Sequence, residues 1–410
     1  MRPILIILSL CLSIAVQAHI ASTQTMRINN DTDLYNRILS IWESDAPFER
    51  AIGTAGFWLA ANSFEALIDY LVLNNKRDDE NLVTKALAFF KKANPETDPS
   101  QWGYWTDDYG WHGRLFLKIH ENYEALGHTD PSMKIDLFVY ALKCWEKMNS
   151  QWNTDGNGGI YNVSPDKSSE SRKNSITNTL YLLLSAKIHL RLYKPNERSK
   201  YSDAAWDTFN WLIYGKTGSK SPAPYLWKPF NNFGCLLETP NSTSLNHSPD
   251  WFWSGDQGIL LDAIYHVSKL LETDYESEFL RRFLDSFAEK IIAQINPILF
   301  VDPDGIFHES NCSDNFATTY GPDYAGGKGI AISSLGAFNR ALGTGKFTKF
   351  LQANSRAFFS QLDRGTPFPL NWNPNYGPYE QGPPRVDGLW ELVLLTQGLN
   401  AYNSQIDPAK

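Results

Sequence analysis

Sulfur is scarce in this chain. Cysteine and methionine each occur four times in 410 residues. One cysteine, Cys11, lies in the first apolar run, which leaves Cys144, Cys235 and Cys312. An odd number permits at most one internal pair. Cys144 falls in the helical pattern "LFVYALKCWEKM" and is expected to be a buried free thiol. Cys235 and Cys312 lie in loop-like stretches and are the expected disulfide, a local staple in a chain long enough to bury a large core. Basic runs are lacking as well. The net charge is −8 and the pI about 5.5, with no Lys/Arg stripe. That argues against nucleic acid and anionic membrane as partners. The eight histidines form no H-E-x-x-H pattern and no zinc spacing, so no metal is expected. A Gly-x-Ser-x-Gly elbow is missing. "VDPDGIF" and "NTDGNGG" lack the ligand spacing and closing Glu of a calcium loop and read as turns. In "GPDYAGGKG" Gly327 stands where a phosphate loop needs Lys. No cofactor is expected. Beyond the N-terminus there is no run of about 20 apolar residues that would cross a bilayer.

What is present begins with a leader. Arg2, the short apolar run "ILIILSLCLSIAV" and the small-x-small site "VQA" predict a signal peptide over 1–18, cleaved after Ala18. Residues 19–410 are then expected to form one secreted domain, acting as a monomer. "GLNAYNSQIDPAK" has no hydrophobic tail, which argues against a lipid anchor there. Five sequons, at Asn30, Asn162, Asn241, Asn246 and Asn311, fit a eukaryotic secretory route. Aromatics are abundant: 14% of the chain, with 14 Trp. Rings of this kind either pack a large core or line a cleft in which they stack on the apolar faces of sugars.

Apolar residues recur at three- and four-residue spacing in about a dozen segments. They fall near 32–44, 54–73, 79–93, 107–126, 133–151, 175–193, 200–214, 256–271, 275–293, 326–342, 346–362 and 387–402. No linker divides the chain and no repeat is visible. Twelve helices of alternating character predict six hairpins closed in a ring, an all-α (α/α)6 barrel; an open helical array is the competing arrangement. "SITNTLYLLLSAKIHL", apolar on most faces, suits an inner helix, and "NERSKYSDAAWDTFNWLIY", polar on one face, an outer one.

Two adjacent carboxylates, Asp107 and Asp108, stand among Trp102, Tyr104, Trp105, Tyr109 and Trp111. The apolar spacing downstream starts a helix here, with Thr106 as expected N-cap and both acids in the first turn. Acids in a first turn suit the helix dipole. Capping accounts for one of them, however, and two neighbours repel. Glycoside hydrolysis needs two carboxyl groups, about 5–5.5 Å apart in retaining enzymes and about 6.5–9.5 Å in inverting ones. Adjacent residues reach the shorter separation more easily, so a catalytic pair here favours retention. Burial among rings and a like charge both raise the pKa of the group serving as acid.

"DDYGW" resembles the Asp-Asp motif of glycoside hydrolase family 76, the endo-α-1,6-mannanases. Three further blocks follow in that family's order: "GNGGIYN" with "RKNSITNTLYLLLSAKI", then "WFWSGDQGILLDAIYHV", then "GIFHESNCSD" with "YAGGKGIAISSL". The resemblance spans roughly residues 50–400. It implies an (α/α)6 fold, retention of configuration, Asp107 as nucleophile, Asp108 as general acid/base, and α-1,6-linked mannan as substrate. A transglycosidase joining mannan or a mannosylated anchor to cell-wall glucan is the second reading. A secreted glycan-binding protein without activity is the third. The chain departs from the blocks at His112, where many members have Trp. It departs at Gly255 and Asp256, where many have Tyr-Asn, and at Gly327, where many have Phe.

The cleft is expected to draw on Trp105, Trp111, Asn174, Asn178, Trp253, Asp256 and Gln257. Asn174 and Asn178 share a helix face at i, i+4, and such a pair heading an apolar helix must find partners, in the cleft or as a cap. Asp256 either binds sugar hydroxyls or caps its helix, and Asp250 is expected to cap. Trp251 and Trp253 point to one side of an extended segment, to stack on sugar or to pack in the core. Glu309 is either a third acid near the site or a loop carboxylate satisfied locally.

Overall fold

The computed structural model describes residues 30–43, 56–153, 158–163, 172–192, 195–215, 236–238, 253–270, 304–309, 326–363 and 388–406, with 278, 282, 286 and 372. Eleven α-helices are formed among these: α1 (Asp31–Glu43), α2 (Gly56–Leu73), α3 (Leu82–Ala93), α4 (Thr106–Asn122), α5 (Pro131–Asn149), α6 (Ser175–Arg191), α7 (Pro195–Tyr214), α8 (Ser254–Ser268), α9 (Gly327–Leu342), α10 (Thr348–Asp363) and α11 (Gly388–Gln405). Each matches a segment expected from periodicity. The expected helix near 275–293 lies outside the described residues, apart from three single positions. None of the helices is long and apolar enough to cross a membrane.

Six helices form the inner ring, and their packing closes it: α2 on α4, α4 on α6, α6 on α8, α8 on α9, α9 on α11, and α11 back on α2. The closed ring rules out an open array. Inner helices are buried on nearly every face, as in α6, where Ser175 through Lys187... all lie inside the protein. Outer helices bury one stripe; in α5 it is Leu137, Ala141, Cys144, Trp145 and Met148. The Cys144 thiol is free and buried as expected, and burial pushes its pKa up.

Contacts between inner helices advance in the same direction on both partners. Gly110 and Gly113 of α4 lie against Leu180 and Leu184 of α6. Gly329 and Gly336 of α9 meet Gln397 and Ser404 of α11. Gly258 of α8 meets Ala331 of α9, and seven residues on Tyr265 meets Phe338. Ser63 bonds Thr396 at 3.0 Å, and Asn403 donates to the Ala66 carbonyl at 2.9 Å. Phe57 pairs with His112, and Asp69 with Lys118. The inner helices are therefore parallel, and their N-termini gather at one end of the barrel.

That geometry puts Trp58, Asp107, Asn174, Ser254 and Gly327 at the same mouth. The positive ends of six helix dipoles converge there, a setting suited to carboxylates.

Candidate active site

The inward stripe of α4 carries the site. Positions 107, 111, 114 and 118 recur at i, i+4, i+7 and i+11, one face of a helix. From the mouth inward they read Asp107, Trp111, Arg114 and Lys118. Arg114 shows that this face looks along the barrel axis. It reaches Glu65 of α2 at 3.1 Å and Asp262 of α8 at 3.9 Å, and α8 is not a ring neighbour of α4. Lys118 pairs with Glu65 at 2.7 Å and Asp69 at 2.6 Å. The Arg114, Lys118 and Lys187 charges hold the Glu65 carboxyl below its usual range against the opposing effect of its burial. The axis is thus filled by ion pairs below and opens on Asp107 above. In α2 the matching stripe is Trp58, Asn62, Glu65 and Asp69. Polar residues at that spacing in a largely apolar helix were the available sign that this face meets other charges.

The start of α4 differs from the sequence expectation. Thr106 is its first residue rather than its cap, and Trp105, in extended conformation, is the cap. The Asp108 carboxylate accepts the Trp105 N–H at 3.2 Å, and Asp107 accepts the Asp108 N–H at 3.2 Å. The Thr106 N–H donates to the Asn162 carbonyl at 2.6 Å. Asp107 is half-buried, whereas Asp108 is 9% exposed. Both acids thus accept a backbone N–H at the helix start, and Asp107 in addition heads the axis-facing stripe.

The rings divide. Trp105 is 41% exposed beside the acids. Trp111, 3% exposed, and Trp253, 8% exposed, both pack on Trp58, at 5.7 Å and 6.1 Å between centroids. Of the three tryptophans expected to meet ligand, only Trp105 offers a broad open face. His112 turns away from the mouth into Phe57, Phe89, Phe90 and Phe116. It bonds the Phe57 carbonyl at 3.1 Å, and burial pushes its pKa down to about 3, so the ring is neutral and donates. The departure at His112 is a packing change and does not touch the cleft.

The amides expected in the cleft are occupied elsewhere. Asn178 is fully buried and clamps Ile160: its Oδ1 accepts the Ile160 N–H at 2.8 Å and its Nδ2 donates to the Ile160 carbonyl at 3.0 Å. Gln257 holds Leu236 in the same way, both bonds at 2.8 Å, and also donates to the Trp253 carbonyl. Asn174 caps α6 through the Thr177 N–H at 3.3 Å and donates to Glu238 at 3.2 Å. In the fold all three hold backbone or carboxyl groups. An amide matches one backbone N–H and one C=O, so it pins a rim segment to an inner helix. Asn162 is buried, and its Oδ1 accepts the Arg172 N–H at 2.8 Å. Asn30 is exposed. Asn241, Asn246, Asn311, Asp250, Trp251, Cys235, Cys312 and the leader lie outside the described residues.

Asp256 does not meet solvent: it is fully buried, facing the Glu238 carboxyl and the Trp253 backbone at the start of α8. Burial first, then the charges of Glu238 and Glu309, raise its pKa well above the ordinary 3.8. Burial raises Glu238 as well, against the opposing pull of Asp256, Asn174 and Arg172. Glu309 is satisfied locally, accepting from the Ser254 hydroxyl at 2.6 Å. Three buried carboxyls therefore meet behind Trp253, from the 236–238 segment, α8 and the 304–309 segment. Burial and the neighbouring like charges thus favour the protonated form of Asp256, which donates toward its neighbours. Glu238 was missed from sequence because nothing local marks it.

The model of glycosyl hydrolase family 76 matches residues 13–406. The chain belongs to that family. It is a glycoside hydrolase with the (α/α)6 barrel of its relatives. The α-1,6-mannanase of Salegentibacter sp., inactivated at two consecutive aspartates and bound to α-1,6-mannotriose, is 14% identical; the match covers 90% of this chain and 99% of that one, with a TM-score of 0.58. A family 76 α-mannanase of Bacteroides thetaiotaomicron is 13% identical over 92% and 96%, TM-score 0.59. Dfg5 of Chaetomium thermophilum, in complex with glucosamine, is 14% identical over 93% and 92%, TM-score 0.65. Among curated proteins there is no match.

Proposed function

We propose that this chain is a secreted, retaining endo-α-1,6-mannanase in which Asp107 attacks the anomeric carbon and Asp108 serves as general acid and then base. The observation that carries the reading is the placement of the Asp pair. Two adjacent carboxylates stand at the open end of the barrel, one on the axis-facing stripe and one folded back on the Trp105 N–H. Asp107, above Trp111 and the Arg114 network, points where a sugar entering the mouth would present its anomeric carbon. Asp108 is the more buried of the two. The converging helix N-termini favour the carboxylate the nucleophile needs. Trp105 offers a ring for stacking on a pyranose face. The mannanase of Salegentibacter, disabled by changing two consecutive aspartates and bound to α-1,6-mannotriose, supports both the pair and the substrate class.

The test is incubation with α-1,6-mannan, and with an α-1,4-linked glycan as control. New reducing ends from the first substrate alone, released first as the α-anomer by proton NMR, are the expected result. Loss of either carboxyl, as Asp107→Ala or Asp108→Ala, is expected to remove activity by a factor of about 10³ or more. Full activity in both variants sinks the assignment. A transglycosidase, the second reading of the sequence, is separated by the same experiment. Mass gain of an added glucan acceptor in the same incubation is its signature.

A further inference from the structure

Three bonds fasten the segment before α4 to the helices behind it. Lys147 of α5 donates to the Trp102 carbonyl at 2.7 Å. The Tyr104 N–H donates to the Tyr109 hydroxyl at 3.1 Å, and the next N–H, that of Trp105, donates to the Asp108 carboxylate at 3.2 Å. Successive peptides thus bond successive side chains of α4, in reverse order. The Tyr109 hydroxyl in turn donates to Asn94 Oδ1, at the C-terminal end of α3, at 3.0 Å. It has one proton to give and gives it to Asn94, which turns its lone pairs toward Tyr104. Burial raises its pKa, so it remains a hydroxyl. The ring is fully buried, stacked on Trp102 at 5.0 Å between centroids and met edge-on by Phe57 at 5.9 Å. A side chain so enclosed does not touch a ligand in the mouth. It acts on the reaction through the Tyr104–Trp105 peptide and the carboxylate bonded to it.

We propose that Tyr109 is a positioning residue: its hydroxyl, held by Asn94, fixes the Tyr104–Trp105 peptide and so aims the Asp108 carboxyl at the leaving oxygen. This rests on the mannanase reading above. In that reaction the Asp108 proton passes to the leaving oxygen as its bond to the anomeric carbon breaks and the Asp107 carboxylate bonds that carbon. A proton donor off its line costs rate only where the leaving oxygen needs the proton. A sugar leaving as an alkoxide needs it. A dinitrophenol leaves as a stable anion and does not.

The experiment compares kinetics on α-1,6-mannotetraose and on 2,4-dinitrophenyl α-1,6-mannobioside, with melting temperature recorded for each variant. Asp108→Ala is the reference: kcat/KM collapses on the first substrate and is kept on the second. Tyr109→Phe deletes one oxygen and keeps the ring. It is expected to show the same split in smaller measure, with kcat/KM about tenfold lower on the tetraose, the loss coming in kcat, and within about twofold of wild type on the dinitrophenyl glycoside. Asn94→Ala leaves the ring in place and frees the hydroxyl, and it repeats the split where Tyr109→Phe does not fold. Equal losses on both substrates mark general damage to the fold, and unchanged rates on both mark no role. Either result overturns the positioning assignment and leaves the mannanase reading standing. Asp108→Ala without the split removes Asp108 as the acid and the proposal with it. No cleavage of either substrate by the wild-type chain takes down the mannanase reading as well.

Discussion

Replacing Asp256 by Asn isolates the effect of one buried proton. Asn has the shape of the neutral acid and, like it, can donate toward Glu238, but it does not titrate. The sign follows from the direction of the shift. The unfolded chain releases this proton near the ordinary value of 3.8, whereas the folded protein retains it to a much higher pH because burial and the charges of Glu238 and Glu309 oppose ionisation. Between those two values the folded state binds one more proton than the unfolded state, so stability falls as pH rises, by about 1.4 kcal/mol per pH unit. Below the lower value the two states are equally protonated and the slope vanishes. Asp256→Asn removes this slope. Its stability relative to wild type therefore climbs with pH above the lower value, by about 1.4 kcal/mol per pH unit, until the folded-state pKa is passed. For a chain of this length each such unit is about 2 °C in Tm. Urea titrations at a series of pH values, read by tryptophan fluorescence, measure the difference directly. Parallel pH profiles for wild type and Asp256→Asn would show that Asp256 is ionised in the fold and refute the neutral-acid account. A uniform destabilisation by Asn at every pH would refute the isosteric donor.

Further outcomes follow from the same geometry. Trp105→Ala removes an open ring beside the acids and is expected to raise KM several-fold without moving Tm, read by steady-state kinetics beside a melting curve. Asn178→Ala strands both backbone groups of Ile160 inside the protein and should cost about 2–3 kcal/mol in chemical denaturation, with the larger change in stability rather than in KM. Arg114→Ala leaves Glu65 and Asp262 facing each other across the axis without their shared cation, at a cost of about 3–5 kcal/mol by the same measurement. Mass spectrometry of tryptic peptides from a glycosylating host should find Asn162 unmodified, because in the folded chain it is buried and its carboxamide accepts the Arg172 N–H.

Much of this protein is written locally. The 3.6-residue period marks each of the eleven helices because burying one stripe, or every face, is decided by the residues within the segment. Their number and alternation point to a barrel. The adjacency of Asp107 and Asp108 stands out in the sequence because two neighbouring acids exceed what a helix start uses. Ring closure was not legible, and neither was the parallel sense of the inner helices, since both depend on which stripe meets which. The polar residues show the limit most clearly. Asn174, Asn178 and Gln257 look like ligand-binding amides in isolation, and each is fastened to a backbone or carboxyl group 18 to 64 residues away. Asp256, Glu238 and Glu309 look unrelated along the chain and form one buried acid cluster. Sequence pattern determines that a side chain is buried; only the tertiary structure decides what it is buried against, because partners come from separate helices brought together by closure of the ring.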